Sequence, residues 1–283
     1  MRNSNKIFIN DKLFYEIKKI KNRIIYIPCD ELKKKLKYFL KDIKLIHSYK
    51  TNVLTCAKIH VGKKWILKMD IKDFFNSTPY CEIQKIITQV CENTNQIDNI
   101  QYYLVLTTIE NKLPTGFPTS SHIANASFKS IDKKILNFCS ILGVDYSRYV
   151  DDLIFSAYSK EILKIVEKRI IQILKFNSYK INSKKTKYIS NNKQQNILGI
   201  VVNDNKIRIS KNLKKKIRAM LYNYLIKNNI LNSINSIKYK NQLAGYISYI
   251  KQVDFAYYKK LKEYSSKLSC KHLTYCPFFS NQL

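Results

Sequence analysis

Tyr149-Val150-Asp151-Asp152-Leu153 sets two acids side by side between strand-forming residues. A hairpin turn there projects both carboxylates from one end of a sheet, and adjacent carboxylates repel unless a cation or hydrogen bonds compensate. Trp65-Ile66-Leu67-Lys68-Met69-Asp70 is a second short apolar strand that ends on an acid, 81 residues before Asp151. Strand ends of one sheet can bring Asp70, Asp151 and Asp152 together. Three carboxylates with little else beside them form the hard oxygen environment that Mg²⁺ prefers. Two such ions about 3.5–4 Å apart can activate an attacking hydroxyl and stabilise a leaving pyrophosphate. Asp-Asp is also an ordinary solvated turn, so this string alone leaves both readings open and its context must choose.

Acids are scarce elsewhere. The 283 residues carry 51 Lys plus Arg against 20 Asp plus Glu, a formal net charge of +31. Such a surplus repels itself unless something anionic sits against it, and nucleic acid is the usual partner. Compositional drift is the alternative, since the chain is rich in Ile, Lys, Asn and Tyr, but drift raises Lys without removing acids. The excess is steepest over 206–283, with 16 Lys plus Arg against Asp254 and Glu263 alone. Helices with an apolar stripe and a basic opposite face suit packing on a core while gripping a phosphate backbone. Lys211, Lys214, Lys215 and Arg218 are the candidates for that grip.

The 45% apolar content excludes wholesale disorder. No run approaches the ~18 apolar residues of a membrane span. Met1-Arg2-Asn3-Ser4-Asn5-Lys6 shows no secretory signal. Seven cysteines, an odd number, argue against a disulfide framework and for a reducing cytoplasm.

Periodicity supplies the elements. Residues 14–18 and 23–28 read as two strands of a basic hairpin with its turn at 19–22. A helix starts at Asp30 as N-cap and buries Leu32, Leu36, Phe39/Leu40 and Ile43. Residues 80–110 read as helical, as does about 120–136. A strand pair at 144–150 and 153–155 carries Asp151-Asp152 at its tip. A helix over about 160–176 has the stripe Ile162, Ile165/Val166, Arg169/Ile170, Ile173/Leu174. Strands at 187–190 and 197–202 precede a tail with two helices, marked by Leu213, Ile217, Met220/Leu221 and by Leu243, Tyr246/Ile247, Ile250.

Three stretches resemble successive motifs of reverse transcriptases, in order and at suitable spacing: Lys68-Met69-Asp70-Ile71-Lys72-Asp73-Phe74-Phe75, Leu113-Pro114-Thr115-Gly116-Phe117-Pro118-Thr119-Ser120 and Tyr149-Val150-Asp151-Asp152. Arg23-x-Ile25-x-x-Pro28 resembles the fingers segment of prokaryotic members, Asn182-x-x-Lys185-Thr186 the lysine motif after the catalytic hairpin, and Leu243-x-Gly245-x-x-x-Tyr249-Ile250 their thumb. The resemblance covers about 14–260. Within the family the bacterial retron type fits best. Ala57-x-x-His60 is similar to its Asn-Ala-x-x-His element, with Cys56 in place of Asn, and 197–203 is similar to its Val-Thr-Gly segment, with Leu198 in place of Thr. Thr115 and Ser121 are further departures, where Gln and Pro are common.

The resemblance implies an α+β right-hand polymerase: fingers at 1–66 and 77–112, a palm of mainly antiparallel sheet at 67–76 and 113–206, and a basic helical thumb at 207–283. It assigns Asp70, Asp151 and Asp152, with the Ile71 carbonyl, to two Mg²⁺ ions, Mn²⁺ being the other option. Phe75 matches the sugar gate that selects deoxynucleotides, with core packing as the plainer reading, and Phe74 reads as core. Arg23 and one of Lys18/Lys19 match the cations that meet the incoming dNTP triphosphate, with a solvated hairpin as the alternative. Gly116 and Pro118 shape a turn that lets backbone approach the templating pair. Lys185 is a candidate proton donor to pyrophosphate, or a solvated lysine. Tyr149 bears on the primer end or packs, and His60 reads as structural.

The implied function is RNA-directed DNA polymerisation. The implied partners are a cognate structured noncoding RNA, as template and primer, its branched RNA–DNA product, and a separate effector in antiphage defence. Alternatives are another stand-alone defence reverse transcriptase, an idle RNA-binding scaffold, and a metal-dependent phosphodiesterase. Cys270-x-His272-x-x-x-Cys276 shows three ligand types at unusual spacing for zinc.

Overall fold

A computed structural model describes residues 4–9, 12–20, 23–47, 52–226, 234–272 and 276–279. The chain divides into two units, Met1–Asn52 with Lys64–Tyr188, and Val53–Lys63 with Ile189–Leu283. The second unit thus joins 53–63 to the segment that contains the expected thumb.

In the first unit, β1 (Ser4–Ile9), β2 (Lys12–Ile20) and β3 (Arg23–Pro28) form an antiparallel sheet in that order. β2 and β3 are the expected hairpin, but Lys19 and Ile20, expected in its turn, are strand paired with Ile24 and Arg23; residues 21–22 lie outside the described residues, and β1 is an addition to the sequence reading. α1 (Asp30–Ile46) is capped by Cys29 rather than Asp30: the Cys29 Sγ accepts the Leu32 N–H at 3.4 Å. Asp30 and Glu31 instead occupy the first turn, where negative charge favours the helix dipole. The buried stripe is Leu32, Leu36, Phe39 and Ile43, as the spacing predicts.

α2 (Val53–Ile59) belongs to the second unit, and β4 (Trp65–Asp70) returns to the first. The helical stretch expected over 80–110 is two helices, α3 (Tyr80–Asn93) and α4 (Ile100–Thr107). They are separated at Asn95, which takes φ +54° in a polar run that ends a helix. The next helix is also two, α5 (Ser120–Ser127) and α6 (Lys129–Ile141), joined at the fully buried Phe128. β5 (Asp145–Tyr149) and β6 (Asp152–Ala157) lead into α7 (Lys160–Phe176), whose N-cap Ser159 Oγ accepts the Glu161 and Ile162 N–H groups. α7 buries Leu163, Val166, Ile170 and Leu174 and leaves Ile165 exposed, so its core face is rotated slightly from the expected stripe. With β7 (Lys187–Ser190) the central sheet has the order β5-β6-β4-β7. Leu67, Met69, Leu153 and Phe155 from this sheet join Val166, Ile170 and Leu174 of α7 in one apolar core.

In the second unit, β8 (Asn196–Ile197), β9 (Ile200–Val201) and β10 (Arg208–Ile209) form a small sheet in the order β10-β9-β8. It is followed by α8 (Lys211–Ile226), α9 (Ile234–Val253) and α10 (Phe255–His272), one helix more than the spacing predicted. Asp254 fixes the joint before α10. Its carboxylate accepts the Tyr257 N–H at 3.1 Å and the Ile209 N–H at 3.4 Å, and pairs with Lys214 at 2.8 Å. Among the described residues no helix is long and apolar enough to cross a membrane. Among the described residues no cysteine is joined in a disulfide.

The segment 197–202, expected as one strand, is a tight hairpin. Leu198 and Gly199 turn it with φ +50° and +93°, and the Gly199 N–H donates to Asn196 Oδ1 at 2.9 Å. Two positive φ values are the type I′ turn, which favours Asn-Gly. Leucine pays for the first position, so Leu198→Asn is expected to stabilise the protein by about 0.5–1 kcal/mol after the loss of leucine's partial burial. A rise in the urea or thermal midpoint checks this; a fall sinks it.

Candidate active site

β6 lies between β5 and β4, and the two registers decide the site. β5 and β6 pair Tyr149 with Asp152, which leaves Val150 and Asp151 as the two-residue turn. β4 and β6 pair Asp70 with Asp152. Directly opposed residues of an antiparallel pair lie about 4.5–5.5 Å apart and share a face. Asp151 joins them through its backbone: its carbonyl accepts the Ile71 N–H at 2.9 Å. Beyond Asp70 the chain stays tied down, since the Asn182 N–H donates to the Asp70 carbonyl at 2.8 Å and the Lys72 N–H to the Lys180 carbonyl at 2.8 Å. The acids sit at the rim because the strands behind them are apolar: Leu153, Ile154 and Phe155 are fully buried and Met69 nearly so.

Charge is crowded at this rim. Burial raises the Asp151 carboxyl above the ordinary carboxylate range; the charge of Asp70 adds to this, while Lys185 and Arg23 offset part of it. Asp152 is raised by burial and by the charges of Asp151 and Asp70, against Lys68 and Lys185. Asp70 is 8% exposed, and Lys185 Nζ lies 2.7 Å from its Oδ1. Among the described residues no three acidic, histidine or cysteine side chains already converge on one metal-sized point. The donor chemistry nonetheless fits a hard divalent cation. The donors are all oxygen, and two of the carboxylates carry a burden of desolvation and mutual repulsion that a cation relieves.

The other expected residues fall as follows. Arg23 lies near enough to Asp151 to act on its charge. Arg23 is opposite Ile20 and Lys18 opposite Ile25, so Lys18 shares the face of Arg23 while Lys19 takes the other. Lys18 also pairs with Glu16 at 3.3 Å. Phe75 is half-buried beside the buried Phe74, ring centroids 5.8 Å apart. Gly116 has φ +117° and lies against β3: a Cβ there would stand 2.3 Å from the Tyr26 carbonyl oxygen, and the Tyr26 N–H donates to the Thr115 carbonyl at 2.8 Å. What this glycine admits is thus the backbone of the basic hairpin. Tyr149 is half-buried.

On α8, Lys211 and Lys215 are exposed, Lys214 is committed to Asp254, and the Arg218 guanidinium lies 4.2 Å from the Tyr264 ring centroid. His60 is fully buried. Cys270 is exposed and Cys276 half-buried, while the side chain of His272 lies outside the described residues.

Three residues at the site escape a reading by pattern. Lys68 bears on Asp152; its position two before Asp70 in an apolar strand was the available signal. Arg148, 4% exposed, forks onto Asp132 through Nε and Nη2 at 2.9 and 2.6 Å. Asp132 on α6 is one of the scarce acids, and that scarcity was its signal.

The family described as reverse transcriptase (RNA-dependent DNA polymerase) matches residues 15–202. The Retron Ec86 reverse transcriptase of Escherichia coli is 30% identical over 264 residues, covering 88% of this chain and 78% of that protein. The Retron Ec73 reverse transcriptase of the same species is 33% identical over 227 residues, covering 76% and 69%. Among solved structures, apo telomerase from Candida tropicalis aligns with a TM-score of 0.51 at 13% identity, over 88% of this chain and 58% of that one. At that identity the likeness speaks for the fold alone, the right-hand polymerase class.

Proposed function

The chain belongs to the reverse transcriptase family, in its retron branch, and as such is an RNA-directed DNA polymerase; we propose that it copies a cognate structured noncoding RNA, which supplies both template and primer, into a branched RNA–DNA molecule. In this reading the product serves antiphage defence with a separate effector protein. The fingers are 1–66 and 77–112, the palm 67–76 and 113–206, and the thumb 207–283. The observation that carries the polymerase site is the register of β4, β5 and β6, which gathers Asp70, Asp151 and Asp152 at one end of one sheet.

Asp70, Asp151 and Asp152, with the Ile71 carbonyl, hold the divalent ions, which when bound make the primer hydroxyl a better nucleophile and offset charge on the pyrophosphate. Arg23 and Lys18 bind the triphosphate from one face of the hairpin. Lys185, released from Asp70, gives a proton from Nζ to the leaving pyrophosphate. Lys211, Lys215 and the neighbouring cations of α8 meet the phosphates of the hybrid, a sequence-independent contact that weakens with salt.

Phe75 places its exposed edge beneath the sugar and excludes a 2′-hydroxyl. Phe75→Val is therefore expected to raise ribonucleotide incorporation relative to deoxynucleotide by about 100-fold, the scale of a lost steric sieve. Primer extension with each nucleotide set checks this, and unchanged discrimination returns Phe75 to a packing role.

The proposal is tested by purifying the chain from cells and sequencing the nucleic acid bound to it, alongside extension of primed RNA with dNTPs. A single RNA covalently joined to DNA is the expected result. Bulk cellular RNA with intact extension overturns the cognate-RNA reading, and cleavage without extension overturns the polymerase site.

A further inference from the structure

We propose that Arg148 is a positioning residue for Asp151, holding the turn between β5 and β6 in a backbone conformation that the turn's own residue resists. The inference rests on the reading of Asp151 as a metal-holding carboxylate. Val150 takes φ +57°. For a β-branched residue that is a genuine outlier, and it persists only where the surroundings impose it.

The imposing contact is visible: Arg148 Nη1 donates to the Val150 carbonyl at 2.8 Å. The guanidinium has little freedom of its own. The same Nη1 donates to Asn125 Oδ1 at 2.6 Å, the Asp132 carboxylate takes the other edge, and the Phe128 ring lies 4.5 Å away. Tyr146 adds its hydroxyl to Asp132 Oδ1 at 2.7 Å. The carbonyl is thus referred to a frame built on α5 and α6.

The consequence falls on Asp151. The peptide plane before its Cα is fixed by Arg148 at the Val150 carbonyl. The plane after it is fixed by the Ile71 N–H at the Asp151 carbonyl. Only the two dihedrals of Asp151 lie between those planes, so its side chain leaves the backbone in one set direction. A cation buried this deeply costs more than an apolar side chain of similar volume. Stability therefore gives little reason for an arginine here, whereas the carbonyl it holds does.

The test is a cycle of four full-length proteins: wild type, Arg148→Gln, Val150→Gly and the double variant, each assayed for kcat, dNTP KM and half-activating Mg²⁺ concentration in primer extension. Arg148→Gln is expected to lower kcat about 100-fold, the scale of a small misplacement of a reacting group, and to raise the Mg²⁺ requirement, with dNTP KM little changed. In the Val150→Gly background the same substitution is expected to cost about tenfold or less, because glycine takes φ +57° unaided. Equal losses in both backgrounds, or a loss carried by dNTP KM, overturn the inference. Should Arg148→Gln not fold, Asp132→Asn, which leaves the arginine in place but loosens its frame, takes its position in the cycle. A wild type that extends no primer sinks the polymerase reading; one that extends primers without this coupling sinks only the role of Arg148.

Discussion

Asp151→Asn is expected to abolish DNA synthesis and, in metal-free buffer, to raise the melting temperature. Both halves come from the same electrostatics. Asp151 is pushed above the ordinary carboxylate range, first by burial and then by Asp70. A carboxyl whose folded-state pKa is raised makes the folded state less stable as pH climbs from its unfolded pKa through its folded one, because the unfolded chain gives up the proton more readily. At neutral pH the ionised Asp151 is therefore a cost to the fold. Asparagine keeps the shape and removes that cost, so the variant melts higher and its stability varies less with pH above the carboxylate range. Synthesis suffers the opposite fate. A lost metal-holding carboxylate removes several kcal/mol of transition-state stabilisation, which is about a 10³-fold fall or more in kcat. Added Mg²⁺ should stabilise the wild type more than the variant and close the gap in melting temperature. Wild-type synthesis by the variant would defeat the catalytic assignment. Loss of synthesis together with a lower melting temperature would mean instead that Asp151 holds the fold.

The legibility of this chain follows the range of the interactions involved. Asp70, Asp151 and Asp152 stand out because acids are rare and these three mark strand ends, Asp70 closing β4, Asp152 opening β6 and Asp151 in the turn before it, a local pattern that survives without coordinates. The α1 stripe of Leu32, Leu36, Phe39 and Ile43 is local as well. Breaks were harder to see. Ile197-Leu198-Gly199-Ile200-Val201-Val202 is continuous in hydrophobicity, and nothing in its period announces that Leu198 accepts a positive φ. The joint between α5 and α6 hides similarly, because Phe128 is as apolar as a helix interior wants. Arg148 was opaque for a different reason. A pattern reading treats an arginine as solvated, and its burial depends on Asp132 and Asn125, 16 and 23 residues away in sequence. α10 was missed because its polar composition leaves no strong stripe, and its start is set by Asp254, which takes a β10 amide and an α8 lysine as partners.

Gly116→Ala is expected to disable nucleotide binding through the hairpin that Gly116 admits. Two separate penalties meet at this residue. The first is conformational, since φ +117° is close to glycine's private territory and costs other residues about 1–3 kcal/mol. The second is steric and larger. The new Cβ would lie 2.3 Å from the Tyr26 carbonyl oxygen and 3.1 Å from Ile25 Cγ2. A backbone oxygen cannot rotate away as a side chain can, so either the 115–116 turn or β3 must move. The turn is anchored on its inner side, where Leu113 is fully buried, Phe117 is 4% exposed, and Ser120 Oγ donates to the Pro114 carbonyl at 2.7 Å. The hairpin has weaker ties to the turn: the Tyr26 N–H of β3 on the Thr115 carbonyl, and the edge contact of Tyr15, on the neighbouring β2, with Phe117, ring centroids 6.3 Å apart. The strand therefore yields first. It carries Arg23, so the charge set against Asp151 moves with it. The variant should lose about 3 kcal/mol of stability. Its dNTP KM should rise about tenfold or more, the equivalent of one charge-assisted contact to the triphosphate. Hydrogen exchange supplies the direct reading: the Tyr26 amide, protected by Thr115 in the wild type, should exchange faster in the variant while the amides of β6 keep their protection. Unchanged protection at Tyr26 together with an unchanged KM would show that turn and strand stay joined despite the added Cβ, and would detach Gly116 from nucleotide binding.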